Sequence, residues 1–448
     1  MADHAYVEHL TPLDLPMPRT YIRALLVFPT ANSSPQITQE LQRGLERLSK
    51  QVPWVAGHVF HTTPTNQKAS LEIRYHAAKT PTLEDKGQIT ASHANLSSQD
   101  MPMKAIPPDV WPTLPCLFGN IPSKTGGRVF AASFFRFVDH GAGLCICLHH
   151  NAVDVTGFAE VVRLWAKNVV QPSQNDHSYL SQGSGDRLVR LSKALAPDLQ
   201  EISSLSSERL LGLHPEHSTQ PPVLPDTFPP CTSKAFKISI HWIDVLKELL
   251  HKYTQRRLTT NVILCALIWT SITRVRAQRN PTLRDQTSRL VTAINGRSRI
   301  TGNLNSVSGD QQYLGNVVLY AMASFPSANL ATAERIQYAH WPRYATVSQI
   351  RSWDLFGSRD FTITSWADLD LYNLDFGPLL GKPEFVKLPC IEADGVAIIL
   401  PRRRTGSYEI LEVMVMLRCD DMESLEGDDK FGDLDVQTPA VLSHLHAL

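Results

Sequence analysis

Two adjacent histidines at the end of an apolar run are the residues of this chain best suited to chemistry. The run, residues 144–148, reads as a buried strand, and it leads directly into His149 and His150. Successive strand residues point to opposite faces, so only one of the two imidazoles faces a given cavity. Asp154 follows in the same segment, and Gly157 lies just beyond it.

An imidazole with its ordinary pKa of about 6.5 is mostly neutral around pH 7, and the neutral ring can act as a general base. Asp154 could orient His150, because residues four apart share one face of a helix. The structural alternative is a hydrogen-bonded core histidine at a strand end, and His149 receives that interpretation. The two histidines and Asp154 could also bind a metal ion, although adjacent strand residues point apart and make one shared metal difficult.

The elements that position these residues follow from their apolar periods. Residues 128–138 read as a partner strand, joined to the histidine strand through 139–143, whose glycines suit a tight hairpin. Downstream, apolar residues recur at helical spacing and predict a helix over 156–170. His150 therefore lies near a strand-to-helix junction.

Strands and helices are mixed in both halves of the chain without strict alternation or a fixed repeat. Further elements are predicted as strands at 21–29, 235–240, 290–294, 317–323, 396–400 and 409–417, and as helices at 38–52, 187–195, 244–253 and 261–276. Five prolines around Trp111, in residues 101–115, favour an extended crossing segment that is a candidate to line a site.

The chain is longer than a single hydrophobic core usually supports. Its 448 residues predict two domains of about 200 residues each. A stretch rich in prolines between residues 215 and 230 is typical of a linker. We therefore place an N-terminal domain at 1–205, a linker at 206–234 and a C-terminal domain at 235–448.

Charge and cysteine content argue against several classes of protein. The 43 basic and 43 acidic side chains cancel, and the longest basic run is Arg402 to Arg404, so neither a nucleic acid nor a membrane surface is expected as a partner. No stretch approaches the ~18 apolar residues of a membrane helix, which predicts a soluble cytoplasmic protein. Seven cysteines without a CxxC pair argue against a disulfide framework and a structural zinc site.

Several motifs in the right order make the chain resemble the BAHD acyltransferases. His150-Asn151-Ala152-Val153-Asp154 resembles the HxxxD motif of this family, and Asp375-Phe376-Gly377 resembles its DFGWG signature. The segment Tyr313-Leu314-Gly315-Asn316 is also similar. The opening Leu10-Thr11-Pro12-Leu13-Asp14 is closer to the fungal branch, which includes trichothecene 3-O-acetyltransferase. The resemblance covers essentially the whole chain.

Two positions depart from the pattern of the family. The glycine that usually follows the motif aspartate is Val155, with Gly157 two places on, and Pro378-Leu379 replaces the Trp-Gly of the second signature. The first change leaves the catalytic pair intact. The second affects a loop that the family uses for folding and domain contact, so neither change removes a reacting group.

The resemblance implies an α/β (α+β) fold of two chloramphenicol-acetyltransferase-like domains, with mixed sheets, flanking helices and an active-site channel at the domain interface. It implies transfer of an acetyl or other acyl group from acyl-CoA, as a co-substrate, to a small-molecule hydroxyl or, as an alternative, an amine. No permanently bound cofactor and no metal are expected, and the protein is expected to act as a monomer. The absence of a GxSxG elbow or a papain-like cysteine signature favours direct attack in a ternary complex.

The resemblance also suggests roles for individual residues. His150 would be the general base, while Asp154 would turn away from it and pair with an arginine of the second domain, with Arg297 as first choice and Arg299 as second. Two further groups follow from the family pattern: Thr364 and Trp366 near the oxyanion, and Asp375 and Gly377 as structural residues of a turn. The alternatives are a solvated strand-end arginine and a tryptophan that only packs under the Asp375 loop.

Two other classes of protein remain open at this stage. Condensation domains of nonribosomal peptide synthetases share the motif but take acyl groups from carrier proteins. This chain contains no carrier or adenylation domain, which favours free CoA. The second alternative is a metal-binding protein that uses His149, His150 and Asp154.

Overall fold

The computed structural model divides the chain into two compact units. It describes residues 5–31, 35–62, 70–114, 121–122, 124–170, 187–202, 206, 208–209, 212, 214, 227–254, 258–300, 304, 312–331, 358–403, 410–428 and 431. The first unit contains residues 1–207, 295–318 and 369–389, and the second contains residues 208–294, 319–368 and 390–448.

Strands and helices occupy the following ranges in the described residues. The strands are β1 Tyr6–His9, β2 Tyr21–Phe28, β3 His58–His61, β4 Leu71–Tyr75, β5 Leu83–Gln88, β6 Gly127–Arg128, β7 Phe130–Arg136, β8 Ala142–His149, β9 Cys231–Ser239, β10 Thr287–Asn295, β11 Val318–Pro326, β12 Phe361–Ser365, β13 Phe385–Lys387, β14 Val396–Ile399 and β15 Ile410–Arg418. The α-helices are α1 Gln36–Gln51, α2 His93–Ser97, α3 Val155–Val170, α4 Arg187–Ile202, α5 Ile240–His251, α6 Thr260–Arg279, α7 Ser327–Ala331 and α8 Cys419–Glu426.

The histidine strand β8 is the middle strand of a five-stranded sheet in the first unit, with the order β13-β2-β8-β7-β5. Its pairings with β2 and β7 are antiparallel, and all of its residues are buried. Burial on both faces explains the nearly continuous apolar run in its sequence. The predicted hairpin joins β7 to β8, and Gly141 adopts a φ of +84° in it. A positive φ is readily available to glycine, which fits the predicted tight turn.

The proline-rich segment covers one face of this sheet. Its apolar side chains Met101, Ile106 and Val110 form a core cluster with Cys145 of β8. The prediction of an extended segment omits two short 3-10 turns, Met103–Ala105 and Pro108–Val110. Each turn has a proline at or next to its start, where the missing N–H costs nothing.

Helices α1 and α3 approach each other closely in the first unit. A Cβ built on Gly44 of α1 lies 2.6 Å from a methyl group of Val169, so only glycine fits here. The indole N–H of Trp165 donates to the carbonyl of Leu41 at 2.9 Å. This contact fixes α3, and α3 begins directly after the HxxxD segment.

The second unit is built on a six-stranded sheet with the order β11-β10-β12-β14-β15-β9. Strand β12 is parallel to both β10 and β14, whereas β15 is antiparallel to both β14 and β9. Helix α6 packs on it through a largely buried apolar surface that includes Ile268 and Ile272. A mixed sheet with helices is the architecture that the resemblance implied.

The two units are not continuous in sequence. Segments 295–318 and 369–389, which the linear division assigns to the C-terminal domain, belong to the first unit. Most of the predicted linker lies outside the described residues, and β9 already begins at Cys231. No α-helix in the described part of the chain is long and apolar enough to cross a membrane.

Candidate active site

His150 lies one residue beyond β8, where the chain turns towards α3. The side chain is partly exposed, in contrast to the fully buried His149 before it. The backbone N–H of His150 donates to the carbonyl of Thr20 at 2.8 Å, and its own carbonyl accepts from Nδ2 of Asn316 at 2.9 Å. Both backbone groups of the candidate base are therefore fixed.

His149 has the features of a structural histidine. Its ring packs edge-on against Tyr21 of the neighbouring strand, with centroids 5.4 Å apart. Its Nδ1 accepts a hydrogen bond from the backbone N–H of Asn151 at 3.2 Å, which requires this nitrogen to be unprotonated. Burial, together with the charges of His150 and Arg19, lowers the pKa of His149 to about 3. Its imidazole is therefore neutral at physiological pH.

Asp154 and Arg297 form a bidentate ion pair. Nη1 of Arg297 donates to Oδ2 of Asp154 at 2.8 Å, and Nη2 donates to Oδ1 at 3.0 Å. The two residues are only 3% and 8% exposed. The planar guanidinium matches a carboxylate in this geometry, and a buried carboxylate needs such a partner. Arg297 is thus the arginine that faces Asp154, while Arg299 is exposed and donates to the carbonyl of Asn295.

The ion pair lies within the first unit. Arg297 follows the end of β10, but segment 295–318 groups with residues 1–207. Its remaining guanidinium donors reach the carbonyls of Tyr313 at 3.0 Å and Gly315 at 2.6 Å. Arg297 comes from the second domain when the chain is divided linearly at the linker, as expected from the sequence. In the structure, Asp154 and Arg297 both belong to the first compact unit.

The carboxylate of Asp154 has no capacity left for His150. Besides Arg297, it accepts from the backbone N–H of Gly157 at 2.8 Å and of Val317 at 2.9 Å. Its partners in the described residues do not include His150, so a triad-like contact is absent there. The same occupancy leaves Asp154 unavailable as a metal ligand. No group of three metal-binding side chains occurs among the residues that the structure describes.

Gly157 makes the first turn of α3 fit against the segment that holds Arg297. A Cβ at this position would lie 2.1 Å from the carbonyl oxygen of Leu314. Only a residue without a side chain permits this approach. The displaced glycine of the HxxxD motif, noted as a departure in the sequence, thus has a defined steric role.

A second buried carboxylate, Asp14, was not identified as a site residue from the sequence. Oδ1 of Asp14 accepts from the backbone N–H and from Nδ2 of Asn316, both at 2.9 Å. The amide of Asn151 donates to the carbonyls of Asp14 and Met17. Asp14 and Asn316 are the last residues of two motifs on which the family resemblance rests, 10–14 and 313–316. A carboxylate or an amide as the last residue of each motif was the available signal.

Thr364 and Trp366 lie at the carboxyl end of β12 in the second unit. Thr364 is a partly exposed strand residue, whereas Trp366 is 6% exposed and its backbone N–H donates to the carbonyl of Ile399 at 2.8 Å. The parallel strands β10, β12 and β14 end at the same edge of the sheet. Loops at such an edge are common positions for ligand-binding residues.

Asp375 and Gly377 build a turn in the first unit. Oδ1 of the exposed Asp375 accepts from the backbone N–H of Gly377 at 2.9 Å, and Gly377 has a φ of +87°. Between them, Phe376 packs edge-on against Phe28 and Trp165. The Asp375 carboxylate thus caps a turn in which Gly377 has a positive φ, which agrees with the prediction that both are structural residues of a turn.

A partly exposed histidine in an HxxxD segment, with its aspartate bound to a buried arginine, defines an acyltransferase of the BAHD type on this mixed α/β fold. The chain belongs to the Transferase family, whose model matches residues 114–340. A second model, described as the trichothecene 3-O-acetyltransferase-like N-terminal domain, matches residues 20–169.

Relatives and solved structures agree with this assignment over nearly the full chain. Trichothecene 8-O-acetyltransferase of Fusarium sporotrichioides is 28% identical, with 94% of this chain and 96% of that protein covered. The O-acetyltransferase ptmV of Penicillium ochrochloron is 23% identical, with 97% of each chain covered. The crystal structure of F. graminearum TRI101 complexed with coenzyme A and deoxynivalenol matches with a TM-score of 0.72 at 19% identity, over 96% of this chain and 99% of that one. The fold is thus the expected two-domain α/β fold of the chloramphenicol-acetyltransferase kind.

Proposed function

We propose that this acyltransferase moves an acetyl group from acetyl-CoA to a hydroxyl group of a fungal-type secondary metabolite. The relatives support this choice, because they are named as O-acetyltransferases and match almost end to end. The TRI101 structure, which contains coenzyme A, supports a CoA thioester as the acyl donor. The deoxynivalenol in the same structure supports a small-molecule alcohol as the acceptor.

His150 is the general base in this proposal. It removes the proton of the acceptor hydroxyl while the oxygen attacks the thioester carbonyl, which gives a tetrahedral oxyanion. Collapse of this intermediate breaks the C–S bond, and the proton on His150 passes to the departing CoA thiolate. The imidazole returns to its neutral form, so each turnover is balanced in protons.

The single observation that supports His150 most strongly is the difference between the two neighbouring histidines. His149 is buried, packed against Tyr21 and already bound at Nδ1, whereas His150 is partly exposed and held by its backbone. A base needs access to its substrate and a defined orientation, and the partial exposure and fixed backbone of His150 support these two conditions. Asp154 then acts as a structural residue that keeps Arg297 in place.

Stabilisation of the oxyanion is assigned to Thr364 and Trp366. The indole Nε1–H is a donor only, which is the polarity that a developing negative charge requires. The hydroxyl of Thr364 can donate as well. A monomeric state and a cytoplasmic location complete the proposal.

A covalent acyl-enzyme is not part of the mechanism. Cysteine is the competing nucleophile, and it reacts as the thiolate. Burial raises the pKa of Cys147 to about 12, and burial also raises the pKa of Cys145 well above its usual value. Neither thiol supplies a nucleophile near neutral pH, which favours direct attack in a ternary complex.

The test compares His150→Ala with His149→Ala in an acetyl-transfer assay. Acetyl-CoA is incubated with a panel of terpenoid, alkaloid and polyketide alcohols, with amines included, and both free thiol and acetylated product are measured. His150→Ala should lose about 10²–10⁴-fold in rate while its melting temperature stays near that of the wild type. His149→Ala is the neighbouring control and should keep substantial turnover. Equal losses in two folded variants would contradict the assignment of the base.

A further inference from the structure

A second set of hydrogen bonds holds the backbone of His150, and it runs from Asp14 through Asn316. This carboxylate is completely buried. Oδ2 accepts from the backbone N–H of Thr11 at 2.7 Å and from its hydroxyl at 2.8 Å, while Nη1 of Arg187 lies 3.6 Å away. Oδ1 accepts both hydrogen bonds from Asn316. The carboxylate therefore orients the Asn316 amide and is itself held by both polar groups of Thr11.

The oriented amide of Asn316 in turn binds the backbone of His150. Its Nδ2 carries two protons, of which one is donated to Asp14 and the other to the carbonyl oxygen of His150 at 2.9 Å. Asn316 is 0% exposed, so water does not compete for these bonds. An amide fixed by a buried anion is a rigid donor, because rotation would remove one of the two hydrogen bonds that a buried carboxylate oxygen accepts.

One short segment thus connects both ends of the HxxxD motif. Asn316 binds the carbonyl of His150, and the next residue, Val317, donates its backbone N–H to Asp154. Between the two ends, Nη1 of Arg187 donates to the carbonyl of Ala152 at 2.8 Å. Groups from outside the motif therefore hold it at three points, two on its backbone and one on the carboxylate of Asp154.

We propose that Asp14 and Asn316 are positioning residues for His150, with a role in turnover comparable to that of the Asp154–Arg297 pair. This proposal rests on His150 as the base of the proposed function. The peptide group of His150 sets the direction of its imidazole, and a displacement of about 1 Å at a reacting group can cost about 10²-fold in rate. Loss of the Asn316 donor allows the peptide to rotate, although the imidazole itself is unchanged.

The experiment uses Asn316→Ala and Asp14→Asn in the full-length enzyme. Each variant should lower kcat by about 10–100-fold, with KM values for acetyl-CoA and for the acceptor within about 3-fold of the wild type. Asp394→Asn is the matched control, because Asp394 is an equally buried carboxylate that pairs with Arg276 in the second unit. It should lower the melting temperature while the kcat of the folded protein stays unchanged. If Asp14→Asn does not fold, Asn316→Ala decides the question.

A double mutant separates positioning from a general loss of structure. In the His150→Ala background, Asn316→Ala should cause no further loss of kcat, because there is no base left to position. A full additional loss would overturn the proposal, as would an unchanged kcat in the folded single variant. The NMR chemical shifts of the His150 imidazole give a readout without turnover, and they should change in Asn316→Ala because the ring moves relative to its surroundings. If His150→Ala itself keeps full activity, the proposed function fails, whereas unchanged His150 chemical shifts in Asn316→Ala refute the positioning role alone.

Discussion

The Asp154–Arg297 pair gives a quantitative prediction about stability. In Asp154→Asn the new side chain keeps the size of the carboxylate, but one oxygen becomes an NH2 group. Each carboxylate oxygen of Asp154 accepts two hydrogen bonds, so the NH2 group faces two donors on whichever side it lies. Arg297 meanwhile remains buried without a counter-ion. Breaking one partner of a buried ion pair costs about 3–5 kcal/mol.

Arg297→Met leaves the opposite charge without its partner. Asp154 keeps only the backbone N–H groups of Gly157 and Val317. The expected loss is again about 3–5 kcal/mol, so two independent losses would sum to about 6–10 kcal/mol. The double mutant buries no unpaired charge and should lose at least about 2 kcal/mol less than that sum.

Thermal melts and urea unfolding of the wild type, both single variants and the double mutant measure this coupling. Activity should fall in each single variant, because the segment that contains Asn316 and Val317 loses its anchor. Strict additivity of the two stability losses would refute the pairing. A normal melting temperature in Asp154→Asn together with lost activity would instead favour a triad-like contact with His150.

Three further predictions concern other parts of the site. Gly157→Ala should destabilise the protein by about 2–3 kcal/mol or more in urea unfolding, because its methyl group would overlap the carbonyl of Leu314, and a wild-type midpoint would contradict the steric role. The depressed pKa of His149 predicts a contribution to stability that is complete above about pH 6.5 and falls by about 1.4 kcal/mol per unit as the pH drops towards 3. Melting curves of His149→Leu should therefore change less between pH 8 and pH 5 than those of the wild type. Initial-rate kinetics should show intersecting, ternary-complex patterns, and isolation of an acetyl thioester on the exposed Cys390 or any other cysteine would disprove direct attack.

The amino-acid sequence by itself determined the local elements and the reacting motif. The apolar period predicted β8, its hairpin partner and α3 close to their observed bounds, because their buried faces leave a strong pattern. It did not predict short or polar strands such as β1 and β5, which expose much of their surface and lack such a pattern. The resemblance also supplied Arg297 as the partner of Asp154, since a motif can preserve a pair that is distant in sequence.

Tertiary structure decided which residues support that motif. The contact of Asn316 with His150 joins residues far apart in the chain, and local spacing contains no information about it. Local spacing likewise contains no information about Asp14, which is buried and binds Asn316 of the distant segment 313–317. That segment and the Asp375–Gly377 loop belong to the first unit although they follow the linker in sequence. A hydrogen-bond network of buried polar groups is satisfied only by the completed fold, which is why the sequence predicted His150 as the candidate base and only the fold showed what holds its backbone.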